Sequence, residues 1–420
     1  MSLTGAIIGM AQDFVGSNNI NILKPNGQFG TRLNPKKDAA SPRYIWTKLC
    51  KLTPLIFRPV DNPILNQQDD DGLPIEPEFY APIIPMILIN GAEGIGTGFS
   101  TKIPPYNPVD VINNILLLLD DANLKKMKPW WNKFTGKVVK IDQNNYETHG
   151  TFHQDNDKIT ITELPVGEWT TNYKEYLERE LDKESKRKNK KTIRLLSYID
   201  NNTDIKVHFE LKFNKGALKK ISDIPKSYRL IKKYSTTNMH LYSVNGNIRK
   251  YSDINDILNE FYQKRLELYQ KRKDYQLNNL KNDLDNLNYK VKFILQVINK
   301  EIKINNRKKA DIESKLFVLK YPKLGKDSSY QYLLGMPIYS LTFEKVQELK
   351  KQKNAKETEY NKLKETDIKD IWREELNMLL QEYNKWLDEK KKDEETSLPK
   401  KGKKMAKKSK KKSKKKNINI

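Results

Sequence analysis

Residues 277–298 read LNNLKNDLDNLNYKVKFILQVI, and their apolar positions recur at steps of three and four. This spacing over three heptads predicts a long helix with a coiled-coil seam along one side. The seam residues are Leu277, Leu280, Leu284, Leu287, Val291, Ile294 and Ile298. A second long helix is predicted over residues 341–387, with an interruption at Lys353. Two long helices separated by about forty residues indicate an antiparallel stalk.

The segment between these helices, residues 317–341, is rich in apolar residues. It contains the stretches Tyr321-Pro-Lys and Tyr332-Leu-Leu-Gly-Met-Pro337. A simple helical hairpin would not need such a segment. We therefore predict a small globular tip on the stalk, and we expect this tip to form a dimer contact.

The chain before residue 252 has a different pattern, with short β-branched runs between polar loops. Residues 83–89 are apolar and lead into Asn90-Gly-Ala-Glu-Gly-Ile-Gly-Thr-Gly98, which predicts a buried strand entering a tight turn. Over residues 107–253, runs such as Lys137 to Ile141 and Lys158 to Ile161 alternate with helical patches. This alternation indicates a mixed α/β domain.

The formal net charge of +25 indicates a polyanionic partner, since excess Lys and Arg displace counterions from nucleic acid. About half of this charge lies in residues 400–416, which hold twelve lysines and no acid. Such a segment cannot fold, and it suits loose DNA binding, nuclear import or simple solubility. The single cysteine, Cys50, fits a reducing compartment, and the absence of an 18-residue apolar run argues against a membrane span.

Three features suggest ligand sites but favour simpler interpretations. The glycine-rich stretch 91–98 lacks the Lys-Ser/Thr pair of a phosphate-binding loop, so we expect a tight turn rather than a nucleotide site. The run Asp69-Asp-Asp71 precedes Gly72, which is typical of a solvated loop. His149 and His153 have only a loose ligand spacing. We therefore expect no metal site in this chain.

Two neighbouring segments combine small residues with Arg and Tyr. They are Asn26-Gly-Gln-Phe-Gly-Thr-Arg32 and Asp38-Ala-Ala-Ser-Pro-Arg-Tyr44. A phenol with a pKa near 10 is a poor nucleophile unless a cation or a base favours the phenolate. A guanidinium beside it can stabilise charge on a pentavalent phosphorus. Taken alone, an Arg-Tyr pair is more often structural than catalytic.

Longer motifs show that the chain resembles type IIA DNA topoisomerases of the eukaryotic kind, over almost its whole length. These motifs are MAQDFVGSNN (10–19), GQFGTR (27–32), DAASPRYI (38–45), EPEFY (76–80), PMILINGAEGIGTG (85–98), ELPVGEWT (163–170), FYQKRL (261–266), VKFI (291–294) and YLLGM (332–336). The order of the motifs also matches that of the family.

The resemblance implies site residues. Tyr44 is expected to become joined to the 5′ phosphate of cut DNA, with Arg43 stabilising the transition state. Ile95 is expected to intercalate between base pairs and bend the duplex, as an apolar wedge can. Trp169 matches a position that contacts DNA, and we expect the same of two residues of the first motif loop, Arg32 and Gln28. Gly167 stands where relatives often have arginine, and Lys37 replaces a common glycine.

The family also implies a multidomain α+β architecture. We expect a partial winged-helix domain at 1–83 with the catalytic tyrosine, a mixed α/β tower domain at 84–251, a coiled-coil stalk and exit gate at 252–390, and a disordered Lys-rich tail at 391–420. The ATPase, transducer and Toprim domains are expected upstream of residue 1. Mg²⁺ and ATP would then be bound outside this chain, which should not cleave DNA efficiently alone.

The implied function is transient double-strand cleavage and strand passage by a nuclear homodimer acting on double-stranded DNA. Two alternatives remain open. One is a non-catalytic DNA-binding and DNA-bending dimer module, which predicts salt-sensitive affinity without a covalent adduct. The other is a coiled-coil scaffold with a basic tail, which leaves the Arg43-Tyr44 and Ile95 motifs unexplained.

Overall fold

The computed structural model describes residues 2–35, 37–96, 98–185, 195–324 and 328–397. The first third of the chain contains four helices and three two-stranded antiparallel hairpins, β1–β2, β3–β4 and β5–β6. In chain order the elements are α1 (Ser2–Ala11), β1 (Leu23–Asn26), β2 (Trp46–Leu49), α2 (Thr53–Ile56), β3 (Gln67–Asp70), β4 (Leu73–Pro77), α3 (Met86–Asn90), β5 (Ala92–Gly96), β6 (Phe99–Ile103) and α4 (Pro108–Leu119).

The middle of the chain is built mainly from strands. The elements are β7 (Lys137–Lys140), β8 (Asn145–His149), β9 (Thr151–Asp155), β10 (Lys158–Glu163), α5 (Thr170–Ser185), β11 (Leu195–Asp200), β12 (Phe209–Phe213), α6 (Ile224–Ser227), β13 (Ile231–Ser235), β14 (His240–Tyr242) and β15 (Ile248–Lys250). They form sheets of order β11-β12-β10-β9, β13-β8-β7 and β14-β15. The strands expected near residues 137 and 158 are confirmed as β7 and β10.

The last part of the chain is helical. Its elements are α7 (Ile254–Ile298), α8 (Lys309–Val318), α9 (Gln331–Leu334), α10 (Phe343–Glu365) and α11 (Ile368–Ser397). The predicted long helix over 277–298 is confirmed as the second half of α7, which is 45 residues long. In the described residues no helix has the length and apolar content that crossing a membrane requires.

The strand predicted at residues 83–89 is wrong. The segment enters helix α3 at Met86, and Leu88 and Ile89 are fully buried. Periodicity cannot separate a short buried strand from a buried helical turn, because both are apolar on every side. Pro85 stands at the N-cap, where its fixed φ suits a helix start.

The largest core joins the first third of the chain to the base of the stalk. Buried residues of α2, α3 and α4 pack with the first turns of α7 and with α11, around the fully buried Trp372. This core therefore continues across residues 83 and 84, where we expected a domain boundary. A second core lies between α5 and the β11-β12-β10-β9 sheet, and includes Tyr173, Phe209 and Leu211.

Helices α7 and α10 run antiparallel. Ile294 packs with Val346 and Leu349, and further along α10 the Lys273 ammonium donates to the carbonyls of Lys364 and Thr366. The second helix is not a single element interrupted at Lys353, as we expected. It breaks at Thr366, where the chain turns extended and α11 leaves α10 to join the large core.

A separate small core lies at the far end of the stalk. It contains the aromatic residues Phe293, Tyr321 and Tyr330 together with Ile312 and Leu316 of α8. The predicted globular tip is therefore present, but it begins before residue 317 because α8 forms one of its walls. The expected disordered segment 391–420 begins within α11, which continues to Ser397, and its residues 398–420 lie outside the described ones.

Buried charges connect the base of the stalk to the segment that follows α2. Asp61, 2% exposed, accepts from Arg265 at 2.6 Å and from Arg272 at 3.2 Å on α7. Arg272 also pairs with Glu375 of α11 at 3.1 Å, and the Tyr269 hydroxyl donates to the same carboxylate at 2.6 Å. Removing one partner of such a buried pair typically costs about 3–5 kcal/mol. This cluster therefore holds three segments in a fixed relation.

Candidate active site and nucleic-acid interface

Tyr44 lies at the end of a 3₁₀ turn, Pro42–Tyr44, that projects from the protein between β1 and β2. The turn is closed by a hydrogen bond from the Tyr44 amide to the Ser41 carbonyl at 2.9 Å. Its side chain is 68% exposed. The Arg43 guanidinium carbon lies 5.0 Å from the centre of the Tyr44 ring. An exposed phenol is thus held beside a permanent cation, as phosphoryl chemistry requires.

The loop before this turn, residues 27–40, is fixed by polar contacts rather than by a core. Asp38 accepts from the backbone amide of Thr31 at 3.0 Å and also from its hydroxyl. The Gln12 side chain donates to the carbonyls of Phe29 at 2.9 Å and Pro35 at 3.2 Å. Because these contacts cross the loop, they limit the positions that the Tyr44 turn can take. Neither Gln12 nor Asp38 was expected to have this role.

Ile95 lies near the tip of the β5–β6 hairpin, opposite Ser100, and is 85% exposed. The glycines at 94 and 96 leave open space on both sides of it, since a Cβ on either would meet no atom within 4 Å. The expected tight turn is therefore part of a hairpin. A bare apolar side chain on a two-stranded support has the form of an intercalating wedge.

Two asparagines connect the root of this hairpin to the segment after α1. The buried Asn19 side chain donates to the carbonyls of Ile89 at 2.8 Å, Tyr106 at 3.1 Å and Trp130 at 3.1 Å. Asn90 exchanges two hydrogen bonds with the backbone of Ile20, at 3.0 and 2.9 Å. Sequence reasoning missed both roles. The partners lie 70 or more residues away, so nothing local could show them.

Arg32 and Gln28 are placed differently from each other. Arg32 is 5% exposed, forms an ion pair with Glu163 and donates to the Leu164 carbonyl at 3.2 Å. Its guanidinium therefore faces the interior and joins the loop to β10 instead of facing a ligand. Gln28 is exposed, and it lines a cleft of about 910 Å³ between the loop and residues 201–208.

Trp169 is half-buried and stands edge-on to Phe14, with ring centres 6.0 Å apart. Its neighbour Gly167 has φ +74°, and a Cβ there would lie 2.9 Å from the Lys232 ammonium. Lys232 donates to the Gly167 carbonyl at 2.8 Å. The cation that we expected to be missing at position 167 is thus replaced in space by one from β13. Lys37 is exposed on the catalytic loop.

The described residues do not form a metal centre. They contain no group of three or more His, Cys, Asp or Glu side chains arranged to hold an ion. Asp38, the acid nearest to Tyr44 in sequence, is committed to Thr31. His149 lies 3.0 Å from Glu147 on β8, whereas His153 belongs to another sheet. These residues therefore do not fit a magnesium site of their own.

The acidic run that we expected to be a solvated loop forms the turn of the β3–β4 hairpin. Asp71 and Gly72 both have positive φ, 51° and 83°, and the Gly72 amide donates to the Asp69 carboxylate at 2.8 Å. Two left-handed residues suit a tight hairpin turn. The carboxylates are exposed to solvent.

Comparison with known proteins gives a consistent result. Residues 1–377 match the family model that describes DNA gyrase and topoisomerase IV. DNA topoisomerase 2 of Saccharomyces cerevisiae is 38% identical over 96% of this chain and 31% of the relative. DNA topoisomerase 2 of Acanthamoeba polyphaga mimivirus is 40% identical over 91% of this chain and 35% of the relative. The chain thus spans about a third of the curated relatives that it matches.

A solved structure extends this likeness to the fold. The Plasmodium falciparum topoisomerase II DNA-binding, cleavage and re-ligation domain superposes with a TM-score of 0.83 at 38% identity. The alignment covers 94% of this chain and 56% of that one. The chain belongs to the type II DNA topoisomerase family and is homologous to its breakage-reunion segment.

Proposed function

We propose that this chain carries out the breakage and rejoining of DNA in a type II topoisomerase, with Tyr44 as the nucleophile. The observation that carries the proposal is the exposed Tyr44 phenol beside the Arg43 guanidinium, on a loop fixed by Asp38 and Gln12. Holding a reacting group in one position removes much of the entropic cost of the reaction. The family relationship supports the same chemistry.

In the proposed step, the phenolic oxygen of Tyr44 forms a bond to a backbone phosphorus. The bond from that phosphorus to the 3′ oxygen of the preceding nucleotide breaks. The phenol loses a proton and the 3′ oxygen gains one, so a 5′ phosphotyrosine and a 3′ hydroxyl result. One phosphodiester replaces another, and religation therefore needs no external energy. Arg43 stabilises the additional negative charge on phosphorus in the transition state.

We further propose that Ile95 unstacks one base step and bends the gate duplex. Insertion removes an exposed apolar side chain from water, and a bent duplex contacts more protein. Trp169 and Gln28 are proposed as further DNA contacts. Arg32 is proposed only as a support of the loop, because its guanidinium is buried against Glu163.

The proposed assembly is a homodimer in which two copies of Tyr44 cut opposite strands. Exposed apolar residues at the stalk tip support a contact there. They are Phe317, Val318, Tyr339 and Phe343. In this assignment, residues 1–83 are a partial winged-helix domain, 84–251 a tower domain and 252–390 the stalk and exit gate. The domain names and bounds are part of the proposal.

Magnesium and ATP belong to the proposed activity of the whole enzyme. Because the described residues do not fit a metal site, we assign both ligands to the ATPase and Toprim regions that the family has. The Lys-rich sequence 400–416 supports a nuclear location, since basic runs of this kind serve as import signals.

The test is covalent capture of DNA. The chain is mixed with a Toprim-containing partner, Mg²⁺ and supercoiled DNA, and the reaction is stopped with denaturant. We expect protein linked to DNA 5′ ends with wild type and none with Tyr44→Phe. Tyr80→Phe, which changes another exposed tyrosine, is the matched control and should give as much adduct as wild type. DNA binding without adduct in wild type would overturn the proposal in favour of a non-catalytic bending module.

A further inference from the structure

A cavity of about 540 Å³ lies at the root of the β5–β6 hairpin, below Ile95. Its charged lining residues, among those that the structure describes, are Glu93 on β5, Lys102 on β6 and Lys232 on β13. Trp169 forms part of another wall. The lining is mostly polar, unlike the apolar pockets that take drug-like ligands.

Lys232 is held in place at the wall of this cavity. Its ammonium donates to the Gly167 carbonyl at 2.8 Å, in space that a side chain at position 167 would fill. Burial lowers the pKa of Lys232, and the charge of Lys102 adds to this effect against the carboxylates of Glu168 and Glu93. A cation with a fixed position, partly removed from water, is well prepared to meet an anion.

Lys102 supplies the second positive charge. It pairs with Glu93 at 3.0 Å and lies 5.2 Å from the centre of the Tyr234 ring. Two ammonium groups face one carboxylate across the cavity, so its lining keeps a net positive charge. An anion placed between the two lysines would relieve their repulsion.

The position of the cavity relative to Ile95 indicates which anion fits. Glu93 and Lys102 form a cross-strand pair two residues from the Ile95–Ser100 pair. At the spacing of a β-strand this separation is about 7 Å. It corresponds to about two steps along one DNA strand. A backbone phosphate near an intercalated Ile95 would therefore lie within reach of the cavity.

We propose that Lys232 and Lys102 bind one DNA backbone phosphate next to the base step that Ile95 opens. The proposal rests on the function proposed above, which it deepens by assigning a phosphate contact to the wedge. In this arrangement the phosphate fixes the register of the duplex, and Ile95 acts at a set distance from it. Lys232 is a DNA-binding residue here and has no part in the chemical step.

The test measures how salt changes the affinity of the whole chain for a duplex of about 30 base pairs. Each phosphate contact contributes about 0.9 to the slope of log affinity against log salt. We expect Lys232→Gln to make this slope shallower by about one and to weaken binding several-fold at 0.1 M salt. Lys233→Gln is the matched control, because Lys233 is an exposed neighbour on the opposite face of β13.

A second variant should have the opposite sign. Glu93→Gln removes the carboxylate that faces the phosphate, so we expect tighter binding than wild type. Lys232→Arg should keep the salt slope because it keeps the charge. A purely structural role of Lys232 would lower the thermal midpoint of Lys232→Gln and leave the slope unchanged. That result would overturn the proposal, as would equal slopes for Lys232→Gln and Lys233→Gln.

Inorganic phosphate, added at constant ionic strength, separates the two sources of the anion. A bound DNA phosphate predicts that a few millimolar phosphate affects wild type and Lys232→Gln equally. Displacement of DNA from wild type alone would overturn the proposal in favour of a site for free phosphate. Covalent capture by Tyr44 is measured separately. A missing adduct would therefore remove the proposed function without changing the salt slopes, and equal slopes would remove only this inference.

Discussion

The loop that carries Tyr44 and the hairpin that carries Ile95 both present one exposed side chain, but they are held by different forces. The loop has little regular structure and depends on the carboxylate of Asp38 and the amide of Gln12. The hairpin has its own ladder, and the neutral amides of Asn19 and Asn90 hold its root. Chemistry and bending should therefore be separable by mutation.

The largest effect is expected at Arg43. Arg43→Ala removes the cation beside the phenol, and we expect the cleavage rate to fall by about 100- to 1000-fold. Noncovalent DNA affinity should change by no more than about threefold. The measurement is the rate of adduct formation in the reconstituted reaction with Mg²⁺.

Arg43→Lys is the control for this prediction. It keeps the charge but loses the planar guanidinium, so its rate should lie between those of wild type and Arg43→Ala. Equal losses of rate and affinity in Arg43→Ala would show that Arg43 only binds DNA. The comparison between loop and hairpin would then lose its chemical half.

A smaller effect, on stability, is expected at Asn19. Asn19→Leu leaves the carbonyls of Ile89, Tyr106 and Trp130 buried without a donor, which should lower the free energy of unfolding by about 3 kcal/mol. Bending of DNA should decrease too, because the hairpin root loses its anchor. Denaturant unfolding gives the first quantity, and the end-to-end distance of a doubly labelled duplex gives the second.

Asn18 provides the neighbouring control. Its amide donates only to the carbonyls of Gly9 and Gln12 and stays in contact with solvent. Asn18→Leu should therefore cost less than about 1 kcal/mol. Similar losses for the two variants would contradict a special role of Asn19 at the hairpin root.

The smallest effect concerns pH and the segment beneath the catalytic loop. Burial raises the pKa of Asp13, but Lys390 at 3.0 Å and Lys133 at 3.9 Å outweigh this and hold the pKa below its usual value. A lowered folded-state pKa means that the pair stabilises the fold above the unfolded pKa of about 3.9. This stabilisation is lost as pH falls through the folded-state pKa.

Asp13→Asn should therefore lower the free energy of unfolding by about 0.5 kcal/mol at pH 7, since the pair is partly exposed and screened. The difference from wild type should shrink at pH 5 and again at pH 3.5. Denaturant unfolding at the three pH values measures it. A difference that stays constant would show that the Asp13 charge is not what anchors this segment. Asn19→Leu, with neutral groups, should show no such trend.

Features that depend on local pattern were predictable from the sequence. The heptads of α7 and the strands β7 and β10 follow from spacing alone. The segment 83–89 was assigned to the wrong element because an apolar run has no period to measure. The break at Thr366 was also missed, although Asp367 follows it and donor–acceptor contacts there mark a new helix start.

The site divides in the same way. The motifs around Tyr44 and Ile95 pointed to the two exposed side chains. Their supports could not be predicted, because Asn19 reaches partners 70 to 111 residues away and Lys232 reaches Gly167 across 65 residues. Arg32 shows the opposite limit. A motif arginine can be buried by an acid 131 residues later, here Glu163, and no local pattern reveals it.

The 45-residue helix α7 also has a mechanical consequence. At 1.5 Å per residue it is about 67 Å long, so a tilt of about 5° at its base would move its far end by about 6 Å. The base is where Asp61 meets Arg265 and Arg272. Those few buried charges thus act as the fulcrum of a lever, and the angle that they set determines where the stalk tip meets its counterpart.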